Sequence, residues 1–266
     1  MRISRITIAL TTIAATIALA ACSRPATEAE SAEDAVPTYD YEVTFVNLSQ
    51  GQPMSPPVLA THEGSGVVWK LGAAASNGVV QIAENGNNGP MIAELAAGRS
   101  DNRIFDFVQA GATPLAPAGS PGSAKEATAP CTGGCPDRVT ARIHAPAGAP
   151  RLSVVSMLVC TNDGFTGHDS IELPLVVGKE RVVELRGYET TTERNTELLA
   201  DIMPPCQGIV GVPSSTKAPG TAQSNPALAE KGSIVPHRGV TGSGDLQVAR
   251  HGWADPVAKL IITRVR

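Results

Sequence analysis

Aromatic residues are scarce in this chain: two Trp, three Tyr and four Phe among 266 residues. Basic residues are fewer than acidic ones, 21 against 25, and no basic patch interleaves with aromatics. A nucleic-acid partner is excluded on both counts, since such surfaces need clustered cations and stacking platforms. No segment after residue 21 is long and apolar enough to span a bilayer. No repeat of fixed period is present, and no extended helix-period pattern survives along the chain, which argues against solenoids and helical bundles. Catalytic signatures are missing as well. His62-Glu63 is followed by Gly-Ser-Gly rather than the spacing of HExxH, and the loop acids do not fit an EF-hand. Ser65 and Ser243 lie in glycine-rich segments, yet neither completes GxSxG.

What is present begins with an export signal. Arg2 and Arg5 precede an uncharged apolar run and then small residues ending at Cys22, the layout of a secretory signal over residues 1–21. Leu19-Ala20-Ala21-Cys22 resembles the lipobox of bacterial lipoproteins, which implies lipidation of Cys22 and attachment to the cell envelope. Ser23 after it, by resemblance to Gram-negative sorting, implies the outer membrane. Residues 22–38 are polar and acidic without periodicity and read as a tether. The membrane is then a partner through the lipid anchor only.

Residues 39–266 read as one β domain. Tyr39, Tyr41, Val43 and Phe45 alternate with polar residues, as do Val139, Ala141 and Ile143, and the chain closes on Val257–Val265 in a further strand. Pro57–His62 and Arg103–Gln109 read as extended, and Val67–Leu71 as another short extended piece. Val79–Glu84 reads as a strand after the Asn77-Gly78 turn, and Met91–Ala97 as one or two helical turns. Leu152–Val159 is an apolar run suited to a buried strand, and Glu180–Leu185 is a second strand. Gly and Pro together number 47, so turns are abundant. The fold class expected is all-β, an antiparallel sandwich with long irregular loops. Four cysteines besides Cys22 allow three disulfide pairings. Cys131 and Cys135 are close enough to close on each other, which leaves Cys160 for Cys206.

The stretch that organises the rest runs from Ser156 to Glu197. One strand ends in the turn Thr161-Asn162-Asp163-Gly164, another in Glu189-Thr-Thr-Thr-Glu193, so carboxylates from two strand ends can meet at one sheet edge. Oxygen-rich loops of this kind suit calcium. Asp163-Gly164 is equally a hairpin-turn signal, and Thr190-x-x-Glu193 equally a helix capping box.

Tyr41-Glu-Val-Thr-Phe-Val-Asn47, Ala60-Thr-His62, Gly72-Ala-Ala-Ala-Ser76, Ala83-Glu84, Ser156-Met157-Leu158, Asn162-Asp163-Gly-Phe-Thr-Gly167 and the closing Val257–Val265 follow one another as in spondin N-terminal domains. The chain resembles that family over residues 39–266. The resemblance implies an eight-stranded antiparallel β-sandwich of C2-like architecture, with a Ca2+ ion held by Asp163, Glu189 and Glu193 in loops at one end. It departs from the family where Glu189 and Glu193 replace aspartates and Thr190-Thr191 replaces Ala-Gly. The function implied is non-enzymatic: adhesion or binding of an extracellular protein or glycan. The alternatives are an envelope hydrolase using the acidic loops, or a C2-like module docking on phospholipid through calcium.

Overall fold

The computed structural model describes residues 37–101, 103–117, 134–148, 150–214 and 219–266, all within the unit Val36–Arg266. The signal, Cys22 and Cys131 lie outside the described residues.

Among the described residues there are nine strands: β1 (Thr38–Asn47), β2 (Val58–His62), β3 (Ile104–Gln109), β4 (Arg138–Pro146), β5 (Arg151–Met157), β6 (Gly164–Glu172), β7 (Glu180–Glu189), β8 (Val235–Pro236) and β9 (Ala258–Arg264). Eight of them form one antiparallel path, β3-β2-β5-β6-β7-β9-β1-β4, and β8 adds to β7. The strand that joins the two sides is β7. Residues 180–185 of it pair with β9, whereas residues 186–189 pair with β6. At the other side the edges of β3 and β4 come together without a backbone ladder. The His144 N–H donates to Asp106 Oδ2 at 3.0 Å, and the Thr61 hydroxyl donates to the His144 carbonyl at 2.6 Å. The result is antiparallel all-β and nearly closed, barrel-like in outline.

Alternation builds the interior. Tyr41, Val43 and Phe45 from β1 face inward with Ile143 and Ala145 from β4, Leu260 and Ile262 from β9, Leu152 and Val154 from β5, and Leu185 from β7. Register places Val43 between Ala141 and Ile262, and Phe45 between Val139 and Leu260. The apolar run of β5 has no wet face, because its other side, Val155 and Met157, is covered by a helical hairpin. That hairpin is α1 (Asn77–Asn85) and α2 (Gly89–Ser100).

Helix α1 corrects the reading of Val79–Glu84 as a strand. Ser76 caps it by accepting from the Val79 N–H, and Gly86 ends it with φ 59°. Its buried residues Gly78, Val79, Ile82 and Ala83 follow helical spacing, not alternation. Glu94 of α2 accepts from the Gly78 N–H and the Ser76 hydroxyl, both at 2.7 Å, and so joins the two helices at their ends. A Cβ on Gly78 would lie 2.7 Å from the Met91 Cα, so glycine at this position lets the two helices approach closely. Residues Val67–Leu71 form bends rather than a strand, with Trp69 buried against Phe165 and Tyr188. Strand β6 was not legible as one. Two further short helices, α3 (Pro204–Ile209) and α4 (Val248–His251), pack on the long loops. Among the described residues no helix is long and apolar enough to cross a membrane.

The candidate acidic loop site

The site starts with a tight turn after β5. The Thr161 hydroxyl donates to the Leu158 carbonyl at 2.6 Å and accepts from the Gly164 N–H at 2.9 Å, closing the turn upon itself. A side chain at 164 would put its Cβ 2.3 Å from Thr161 Oγ1, so only glycine fits. This turn then secures the loop that follows β7. Asp163 Oδ2 accepts from the Thr192 N–H (2.8 Å), the Thr190 hydroxyl (3.0 Å) and the Glu193 N–H (3.3 Å). Asn162 Oδ1 accepts from the N–H groups of Thr196 and Glu197.

Asp163 is fully buried, and its second oxygen, Oδ1, has no hydrogen-bond partner. Burial pushes its pKa up to about 6, against the two N–H donors and the Thr190 hydroxyl, and Glu189 adds repulsion. Glu189 ends β7 opposite Gly164 and is 5% exposed; its Oε2 accepts from the Asn195 side-chain amide. Glu193 is 4% exposed and accepts from the Asn225 N–H at 2.9 Å. Burial raises its pKa to about 7, helped by the neighbouring carboxylates of Glu84, Asp163 and Asp201. No helix starts at Thr190, and the Glu193 carboxylate does not reach back to it, so the capping-box reading does not apply.

Two of these acids were not found from sequence. Glu84, from α1, accepts from the Thr192 hydroxyl at 2.6 Å, and Asp201 accepts from Thr196 and Asn225 side chains. Glu84 was legible as the end of a supposed strand and within a family motif, not as a member of the site, and Asp201 closes a short 3-10 turn, Leu199–Asp201, in a stretch with no periodic signal. None of Glu84, Asp163, Glu189, Glu193 and Asp201 forms an ion pair among the described residues. Glu197 is different. Its carboxylate accepts from the N–H groups of Thr241, Gly242 and Ser243 and from the Thr241 hydroxyl, at 2.6–2.9 Å. Burial opposes ionisation there, but those donors outweigh it and hold the pKa below the ordinary value.

The donor set suits a hard cation: carboxylates throughout, one buried oxygen unpartnered, and no Arg or Lys ion-paired with them among the described residues. The fit is incomplete in one respect. Among the described residues the three-ligand set whose atoms lie within 4.8 Å of one another is Cys160, Cys206 and His251, not the carboxylates. Cys160 and Cys206 are joined as a disulfide, so they offer no thiolates, and the Nδ1 atom of His251 accepts from the Gln247 N–H. Calcium–oxygen distances of about 2.3–2.6 Å allow shared oxygens up to roughly 5 Å apart. Ligation by all three acids therefore needs Glu189 or Glu193 to leave its present partner, Asn195 or Asn225.

Cys135 is also in a disulfide, and its expected partner Cys131 lies outside the described residues. His62 ends β2, fully buried, with Nε2 2.7 Å from the Ser153 hydroxyl, which in turn donates to Asp169. The carboxylate sits on the serine rather than on the imidazole, the wrong order for a triad. The chain matches no protein-family model and no curated protein sequence.

Proposed function

We propose that this chain is a non-enzymatic, lipid-anchored module of the outer cell envelope, akin to spondin N-terminal domains, that binds calcium and an extracellular protein or glycan. In this reading its strands are the two sheets of a C2-like sandwich joined through β7. The observation that carries it is the buried, unpartnered Asp163 Oδ1 within five carboxylates that have no ion pair. Buried negative charge without compensation is unfavourable, and a cation among these oxygens removes the penalty. Asp163 supplies a preplaced oxygen, Glu189 and Glu193 swing in, and Thr190–Glu193 are fixed by Asp163 itself.

A groove near the same end is the natural partner surface. Leu48, Gln50, Arg238, Val248 and Trp253 line a cavity of about 500 Å³, reached from Glu189 through β8. Its mix of an indole, aliphatic side chains and a guanidinium suits a peptide or sugar. The hydrolase alternative draws on the raised pKa values of Asp163 and Glu193. Full burial of Asp163 denies it the access to substrate that acid–base work requires.

The test is calorimetric titration with calcium and with magnesium, together with thermal melts in calcium and in chelator. Wild type should take up calcium with a dissociation constant of about 10⁻⁴–10⁻³ M, as extracellular modules do. At roughly 1 mM calcium, linkage adds about 0.4–1.4 kcal/mol. Asp163→Asn, which keeps the acceptor for the loop, should abolish the calcium heat. Wild type with neither calcium heat nor a calcium-dependent melting shift would sink the reading.

A further inference from the structure

At the end of the barrel opposite the acidic loops, the β6–β7 connection is an apolar tip. Leu175–Val182 are eight consecutive exposed residues. Nine large apolar side chains are exposed among the described residues, and five of them gather here: Leu175, Val176, Val177, Val182 and the nearby Val265. Concentration of this kind, unlike scattered exposure, marks a contact surface. The tip is also built rather than loose. Gly178, with φ 76°, donates its N–H to the Arg264 carbonyl at 2.8 Å, the Lys179 N–H closes a turn on Val176, and Arg264 donates to the Leu175 carbonyl.

Two more observations point to the occupant. The described chain enters at Pro37 at this same end: Thr38 pairs with Pro146, and Asp40 bonds Arg266, the residue that follows Arg264 and Val265. Cations surround the tip at its base. Lys179 is exposed on the loop, and Arg181 at the start of β7 is exposed and pairs with Glu172. Arg264 stacks on Tyr39, and Arg266 pairs with Asp40, with Glu180 as the other acid close by. Beside them an open groove of about 560 Å³ is lined by Phe105, Pro146, Ala147, Pro150 and Arg151. Aliphatic side chains at the apex with Lys and Arg behind them match the order of layers in a phospholipid surface: hydrocarbon first, phosphate outside it.

We propose that the Leu175–Val177 tip rests in a phospholipid bilayer and sets the orientation of the domain on it, with the acidic loops facing away. The proposal rests on membrane attachment through the segment before Pro37. Fourteen residues lie between Cys22 and Pro37, so the span is at most about 54 Å. Tethering over such a length keeps the tip at a high effective concentration near lipid, so a contact too weak to bind alone suffices. The same geometry disfavours docking on phospholipid through calcium, because β7 separates the two ends by ten residues, roughly 33 Å.

The experiment uses the full chain with an environment-sensitive fluorophore on Val176→Cys, and on Lys231→Cys at the acidic end as control. Both are incubated with vesicles of phosphatidylethanolamine and phosphatidylglycerol carrying spin-labelled lipid. Co-sedimentation with at least several-fold stronger quenching at 176 than at 231 is expected. Co-sedimentation with equal or no quenching at 176 overturns the tip and leaves anchoring standing. Failure to co-sediment overturns both. Quenching at 231 alone reverses the orientation and overturns the tip in favour of docking by the acidic end.

Discussion

Asp163 does two things that are in tension. One oxygen holds the 190–193 loop through three hydrogen bonds, while the other is buried with nothing to bond. Its folded pKa, up to about 6, lies above its unfolded value, so the metal-free folded state binds the extra proton. The stability this group contributes is present below about pH 4 and is lost as pH rises through 6, to the extent of roughly 3 kcal/mol. The buried His62 and His251 and the half-buried His237 have lowered pKa values and act with the opposite sign in the same range. The informative quantity is therefore the wild-type minus Asp163→Asn difference in chemical-denaturation stability in chelator. That difference should fall between about pH 4 and 7 and level off above it, and calcium should flatten the fall, because binding takes the ionised form. Glu197 gives the contrasting case. With four donors and a lowered pKa, its contribution is present above the ordinary carboxylate pKa and is lost on acidification. Glu197→Ala should cost about 3 kcal/mol at pH 7 in a denaturant titration, since it leaves those donors unpaired.

At the scale of elements, legibility followed whether a strand has one wet face. β1, β4 and β9 alternate and could be read directly, and Asp163 and Glu189 could be placed because both stand at strand ends. Val79–Glu84 misled because adjacent β-branched valines favour a strand locally, while the Ser76 cap and the 78/79/82/83 spacing that override them need a neighbour to show their value. β6 escaped because Gly164, Gly167, His168, Asp169 and Ser170 look like loop. Its glycines are demanded by packing: a Cβ on Gly167 would lie 2.2 Å from the Val154 carbonyl oxygen. Gly167→Ala should destabilise by about 1–3 kcal/mol through forced separation of β5 and β6, measured by thermal melting. Glu84 and Asp201 could not be assigned to the site, since only the tertiary fold brings a helix end and a distant loop to β7. The Cys160–Cys206 disulfide joins the end of β5 to α3 across a sequence separation of 46. Replacing both by Ser should cost about 2–4 kcal/mol and lower the melting point by on the order of 10 °C.

For the whole molecule, the central fact is that β7 changes partner halfway, from β9 at residues 180–185 to β6 at residues 186–189. One strand thereby spans from the apolar tip to the acidic loops, and β1 runs beside β9 from the entry of the chain at Pro37. This has a mechanical consequence. A pull between an anchored Pro37 and a partner held at residues 189–193 is directed along the strands, and the ladder hydrogen bonds lie across them. β1 is clamped between β4 and β9 over most of its length, so such a load meets its bonds in shear, all at once, and cannot unzip them one by one. The same pull applied across the seam between β3 and β4, where side-chain bonds of Asp106 and of Thr61 in β2 reach His144 in place of a backbone ladder, would meet far less resistance.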